Sequence, residues 1–459
     1  MTDRSDSPDL AGRVLNALHI AARMLASIDE ARPSRGDDPG IPGFQTTFRD
    51  KIVAESAMLV LCAKGAANHE RRISERVDAV IGQINRFARS EHVASALCVD
   101  PGRALEHAVA HIILGRLGYP DAKLDHLLSL CHASGAVVGP ERLPHRQLEQ
   151  QWLARLWGAA HRPDHGERSI LVQSMLGRAL DAFGSSRFDV YAFTHSLMYA
   201  TDFGDRRPRL PRKSSAIVLD AETALAFALD TDDLDLVAEV LMTWPMLGLP
   251  WSPAAVFAFR RLTAVADERG FLPGYSFVAA ECDKLTGDEQ RQYALVTSYH
   301  ANYVMGFLCS LALRGGATPP DSLSADRRYR GAAAALIDLI DDTAETLAWR
   351  RQFDALTPNE QDRLSPLLLA TILRRAKNGG DLRLVRHALA VAVKHDLCCS
   401  PSAVQAAALL RRGQFLVQYF SDRATERGSA TYGTQSMPNQ IEVAGTQAGQ
   451  GMFMGPLEL

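Results

Sequence analysis

The stretch Thr194-His195-Ser196-Leu197-Met198-Tyr199-Ala200-Thr201-Asp202-Phe203-Gly204 is the richest in groups that can move protons. On a helix, His195, Tyr199 and Asp202 fall at i, i+4 and i+7 and share one face. An imidazole with a phenol and a carboxylate alongside is suited to general acid-base work, because histidine changes charge near neutrality and its neighbours set the direction. Phe203-Gly204 ends the helical pattern and leaves Asp202 at its mouth. The plainer alternative is a satisfied polar cluster in which Asp202 caps the loop running to Pro208.

A second stretch, Ser298-Tyr299-His300-Ala301-Asn302-Tyr303-Val304-Met305-Gly306, places His300 and Tyr303 at i, i+3, and Gly306 allows either close helix packing or room for a ligand. His195 and His300 on separate helices, joined by Asp202, would make a His/His/Asp set. Such a set activates a water directly or through a divalent metal. The candidates for chemistry are therefore His195, Asp202, His300 and Tyr199, with His195, Asp202 and His300 also the candidate metal ligands. Tyr303 and Asn302 are expected to contact substrate. So are Arg146 and Glu149 of Leu143-Pro144-His145-Arg146-Gln147-Leu148-Glu149, where the arginine could hold an anionic group if it points inward. An exposed i, i+3 charge pair is the simpler reading of those two.

Two further patterns carry less. His107 and His111 are four apart, as zinc ligands on a helix can be. However, Glu106 precedes the first histidine instead of following it, and no third ligand stands nearby. Asp230-Thr231-Asp232-Asp233 spells the DxDD pattern of protonation-initiated terpene cyclases, a remote alternative, and also reads as an aspartate cap on a helix starting near Leu234. No glycine-rich phosphate loop, serine nucleophile elbow or CxxC pair occurs, so the sequence carries no nicotinamide or ATP motif.

The elements that must position these residues read as helices. Apolar residues recur every three or four positions, as in Leu15, Leu18, Ala22 and Leu25, in Val77, Val80, Ile81 and Ile84, and in Leu234, Val237 and Leu241. Roughly 16 to 18 such segments follow one another between proline and glycine breaks, and β-branched alternation is nearly absent. Proline opens several of them, at Pro101, Pro253 and Pro401. Helix-turn-helix units of about 30 to 40 residues recur without a fixed repeat. The expectation is an all-α chain of α/α hairpins, closed as a toroid or packed as a compact helical-repeat bundle, with an N-terminal helical segment over 1–100, a main domain over 101–420 and a disordered tail over 421–459.

Of 459 residues, 47% are hydrophobic and 22% charged, and the net charge is −3, so no basic field draws nucleic acid or anionic lipid. The seven cysteines are irregularly spaced and most lie within apolar runs, the usage of a reducing compartment. The polar first ten residues and the shortness of the apolar stretches point to a cytoplasmic protein with no membrane partner. The oligomeric state is not legible.

The Leu143–Glu149, Thr194–Gly204 and Tyr299–Tyr303 segments together resemble an uncharacterised all-helical family, classed as a domain of unknown function and known mainly from actinobacterial genomes, over about residues 100 to 415. The resemblance implies an all-α fold and a place beside natural-product biosynthetic enzymes; it supplies no catalytic residues. The expectation is an enzyme of bacterial specialised metabolism, a lyase, cyclase or hydrolase, acting on a small molecule or peptide by acid-base or divalent-metal chemistry. The competing class is a non-catalytic helical scaffold or binding protein.

Overall fold

The computed structural model describes residues 9–30, 48–68, 70–134, 141–158, 166–320, 322–323, 329–341 and 347–429. Among these, every regular element is helical. The helices that matter below are α1 (Leu10–Glu30), α2 (Phe48–Ala66), α3 (Arg71–Ala88), α4 (Pro144–Trp157), α5 (Arg187–Thr201), α6 (Ser214–Asp230), α7 (Leu234–Leu241), α8 (Gly287–Arg314) and α9 (Ser365–Asn378).

α8 is the hub. It packs along α1, α2 and α7. Its second half, from Ser298 to Ala312, is buried almost without interruption, with His300 half-buried in this stretch. The close approach to α1 and α2 depends on Gly306. A Cβ added there would lie 2.5 Å from the Ala17 Cβ and 2.8 Å from a Leu59 methyl, so the position serves helix packing and not a ligand. In an open solenoid each unit touches only its sequence neighbours. Here the first two helices pack on one that begins more than two hundred residues later, which makes a compact helical bundle. One compact unit, Met1–Ala406, takes in both sides of position 100.

The buried stripe of α1 is Val14, Ala17, Leu18, Ala21, Met24 and Leu25, set about one residue off the expected face, with Leu15 and Ala22 at its edge. The α3 stripe, Val77, Val80, Ile81 and Ile84, is buried as expected. Three tryptophans, Trp152, Trp244 and Trp349, are fully enclosed, each contributing on the order of 2–3 kcal/mol or more of apolar burial.

α7 is short and wholly enclosed: all eight of its residues are buried, Asp235 and Glu239 included. Asp233 starts it by accepting the Leu236 N–H at 3.1 Å. α5 opens with a capping box of Ser186 and Asp189 and closes abruptly. Asp202, Phe203 and Gly204 follow one another in the left-handed region, at φ 49°, 50° and 86°. At Gly204 a Cβ would meet the Met246 Cα at 3.1 Å.

The second unit, Ala407–Leu459, is helical up to Ser429 within the helix Pro401–Ser429. That helix carries across position 421. The rest of the expected tail, 430–459, lies outside the described residues. No helix among the described residues is long and apolar enough to cross a membrane.

Candidate functional site

Two carboxylates on one turn of α7 organise the site. Asp235 and Glu239 stand at i, i+4 in a helix with no exposed face, and a buried charge is costly unless it is paired. Each has one oxygen engaged. Asp235 Oδ2 accepts from the Arg187 guanidinium at 3.3 Å, and Glu239 Oε2 accepts from the Thr194 hydroxyl at 2.7 Å. The other two oxygens face α8: His300 Nε2 lies 3.7 Å from Asp235 Oδ1 and 3.8 Å from Glu239 Oε1. Behind the same ring, Glu55 of α2 places Oε1 3.2 Å from His300 Nδ1.

His195 of α5 approaches Glu239 from the opposite side, with Nδ1 3.7 Å from Oε2. That nitrogen also lies 3.0 Å from the Tyr191 carbonyl. A carbonyl only accepts, so Nδ1 carries the proton and Nε2 is the free base. The Tyr191 ring stacks on His195 with centroids 3.6 Å apart, and Tyr199 meets it edge-on at 5.8 Å.

The fields divide the two histidines. Burial pushes His195 down to about 4, against the pull of Glu239. At His300 burial works the same way, but Asp235 and Glu55 together override it and hold the imidazole well above its ordinary value. Burial raises Asp235 to about 6 even with His300 beside it. For Glu239 burial opposes ionisation, and the imidazoles of His195 and His300 with the Thr194 hydroxyl bring it below the usual carboxylate range. Glu55 is lowered in the same way: burial opposes ionisation, and His300 with Lys51 and Tyr299 outweighs it.

Not every expected residue joins the cluster. Asp202 accepts the Trp152 indole N–H at 2.6 Å, so the acid beside His195 is Glu239, and the His/His/Asp set built on Asp202 gives way to one built on α7. The left-handed end of α5 explains this, because it turns Asp202 off the face that carries His195. Asn302 clamps a loop: its side chain bonds both the N–H and the carbonyl of Leu272, at 3.0 and 2.9 Å, and the Ser298 carbonyl. Its polar atoms are thus engaged within the fold. Tyr303 bonds Ser56 at 3.0 Å, one residue from Glu55. Arg146 and Glu149 pair at 2.8 Å, as their spacing implied, but not as an exposed pair. Glu149 also accepts from the Tyr199 hydroxyl at 3.0 Å, which ties them to the wall beside His195.

The lesser motifs resolve structurally. His107 and His111 turn to different acids, Asp100 and Asp125. Of the DxDD aspartates, Asp230 pairs with Arg374 and Arg375 of α9, and Asp233 caps α7. Asp232, where a cyclase would hold its acid, is exposed and pairs with Arg261. Two clefts open elsewhere, one lined by Asp50, His92 and His107 and another by Glu222, Tyr329 and Arg363; neither takes in His195 or His300.

Sequence reasoning missed Asp235, Glu239 and Glu55. The available signal was an acid inside an apolar run, as in Leu234-Asp235-Leu236-Val237-Ala238-Glu239-Val240-Leu241 and Ile52-Val53-Ala54-Glu55.

A family model described as a domain of unknown function, DUF6895, matches residues 17–310, a stretch that holds the whole cluster and begins well before the span from residue 100 that the three segments suggested. No curated protein matches the chain, and no solved structure does.

Proposed function

We propose, for a chain that belongs to the DUF6895 family and draws no assigned activity from it, an enzyme that transfers protons on a small molecule at the cluster of Glu55, His195, Asp235, Glu239 and His300. One observation carries this reading. Five ionisable side chains from four helices meet in a packed interior, and three of their buried atoms, Glu55 Oε2, Asp235 Oδ1 and His300 Nδ1, have no hydrogen-bond partner of good geometry. Folds satisfy most buried polar groups, and three unsatisfied atoms gathered within one ionisable cluster mark a candidate for function. In this reading Glu239 links two imidazoles, His195 presents its free Nε2, and Tyr199 with the Arg146–Glu149 pair walls the site. A lyase, cyclase or hydrolase is the expected class. The setting in bacterial specialised metabolism rests on the resemblance of the three segments, and a cytoplasmic location is supported by seven free thiols.

The alternative is a helical scaffold, and a separate observation favours it: Phe415, Leu416, Val417 and Phe420 of the helix Pro401–Ser429 are exposed, as residues of a binding face are. The experiment compares metabolites of a deletion strain carrying the wild-type gene or Glu239→Gln, an isosteric change that can still accept from Thr194. The enzyme reading expects wild type to restore a missing metabolite and Glu239→Gln, at equal protein level and melting temperature, to fail. Full restoration by Glu239→Gln and by His300→Asn overturns it in favour of the scaffold.

A further inference from the structure

The geometry points to a divalent first-row metal ion held by Asp235 Oδ1, Glu239 Oε1 and His300 Nε2. One donor atom from each of these residues lies within 4.8 Å of the others, with Nε2 at 3.7 and 3.8 Å from the two oxygens. A triangle of that size leaves its centre about 2.0–2.4 Å from each corner, the distance such ions take from nitrogen and oxygen.

The oxygens turned toward His300 are the ones not otherwise used. Arg187 takes Asp235 Oδ2 and Thr194 takes Glu239 Oε2. Asp235 is 5% exposed, and its Oδ1 points into the triangle without a hydrogen-bond partner. A carboxylate left so in the interior marks a missing cation or donor.

The third ligand is prepared from behind. Glu55 Oε1 sits 3.2 Å from His300 Nδ1, the place of the carboxylate that fixes the ring and tautomer of a metal-bound histidine. A turn of the ring that brought Nδ1–H onto this oxygen would leave Nε2 as the nitrogen to bind.

Charge runs the same way. Glu55, Asp235 and Glu239 put three buried carboxylates around His300, and of these only Asp235 pairs with Arg187. A divalent ion held among them supplies positive charge where the carboxylates crowd negative charge. Two carboxylates and one imidazole select manganese, iron, cobalt or zinc over calcium, which takes six to eight oxygens. The His300 side chain is 31% exposed, so the triangle lies beside the one member of the set that reaches solvent.

The inference concerns the same cluster as the proton-transfer reading, but its test reads binding and needs no substrate. The full chain, purified and stripped with a chelator, is titrated with Mn²⁺ by loss of the free-ion paramagnetic resonance signal and with Co²⁺ by visible absorption. One equivalent per chain is expected, with a melting temperature raised by either ion. Asp235→Asn and His300→Asn should each weaken binding about a hundredfold or more, and Glu55→Gln about tenfold. Should Asp235→Asn fail to fold, His300→Asn and the wild-type stoichiometry still decide. Absence of stoichiometric uptake by wild type, or uptake by folded Asp235→Asn and His300→Asn as tight as wild type, overturns the site. A failed titration with a positive metabolite result removes the metal and leaves the proton-transfer reading; the reverse removes that reading and leaves the metal.

Discussion

His195 and His300 stand on the two oxygens of one carboxylate: His195 Nδ1 is 3.7 Å from Glu239 Oε2, and His300 Nε2 is 3.8 Å from Oε1. Two rings from α5 and α8 are thus held across a single side chain of α7. Burial dominates at His195 and leaves it neutral, while surrounding carboxylates dominate at His300. Environments that part like groups in this way are characteristic of sites that use both protonation states.

The first prediction concerns Asp202, whose place beside His195 is taken by Glu239. Asp202→Asn keeps an acceptor for the Trp152 indole and tolerates the left-handed backbone at φ 49°. It should shift unfolding free energy by less than about 1 kcal/mol and leave activity intact. Asp202→Ala, which strands the indole N–H, should cost about 1–3 kcal/mol. Urea denaturation of both variants checks this; a large loss of activity in folded Asp202→Asn would return Asp202 to the site.

Gly306→Ala tests the hub. The added methyl would meet Ala17 and Leu59 at 2.5 and 2.8 Å, forcing α8 away from α1 and α2. A loss of about 1–3 kcal/mol is expected from overpacking. Because His300 lies less than two turns away on the same helix, metal affinity should fall with it. A melting temperature equal to wild type would show that the three helices are looser than described.

The DxDD aspartates should separate by burial. Asp230 is enclosed and holds Arg374 and Arg375 at 3.0 and 2.7 Å, so Asp230→Ala breaks both ion pairs at once and should cost about 3 kcal/mol. Asp232 is exposed, and Asp232→Asn should change stability by about 0.5 kcal/mol or less. Neither change should alter turnover beyond the loss of folded protein. Abolished activity in a stable Asp232→Asn protein would revive the cyclase reading.

His145 gives a pH dependence. It is buried against Tyr191, and burial first, the Arg146 charge second, lower it to about 4. Below the ordinary value near 6.5 the unfolded chain binds a proton that the folded chain refuses. Stability is therefore fully present above about 6.5, falls as pH drops to about 4, and levels off below, by about 2–3 kcal/mol in all. His145→Gln should lose this component, so the wild-type-minus-variant difference in unfolding free energy should shrink by that amount between pH 7.5 and 4.5. A pH-independent difference would show that His145 ionises freely.

The helices were legible because their signal is periodic and local. Val77, Val80, Ile81 and Ile84 are buried as their spacing demands. Half of the site was legible too: His195 and His300 drew attention as polar rings in apolar helices, and they do share one carboxylate. The rest was hidden for a physical reason. Asp202 is on the histidine's face only while the helix continues, and the left-handed turn at Asp202–Gly204 ends it. Asp235 and Glu239 look from the sequence like the polar side of an amphipathic helix, and only the enclosure of α7 on every side makes them functional candidates.

The hub also sets a schedule for biosynthesis. Glu55 leaves the ribosome long before His300 does, and at about 5–20 residues per second the wait is about ten to fifty seconds. Throughout it α1 and α2 have no α8 to lie against, so Leu18, Leu25 and Leu59, all fully buried in the finished protein, are exposed on the nascent chain. The unit cannot ripen from its N-terminus as a repeat array does. Its first helices must be kept from aggregating, by a chaperone or by provisional pairing with α3, until the segment that completes both the interior and the site has been made.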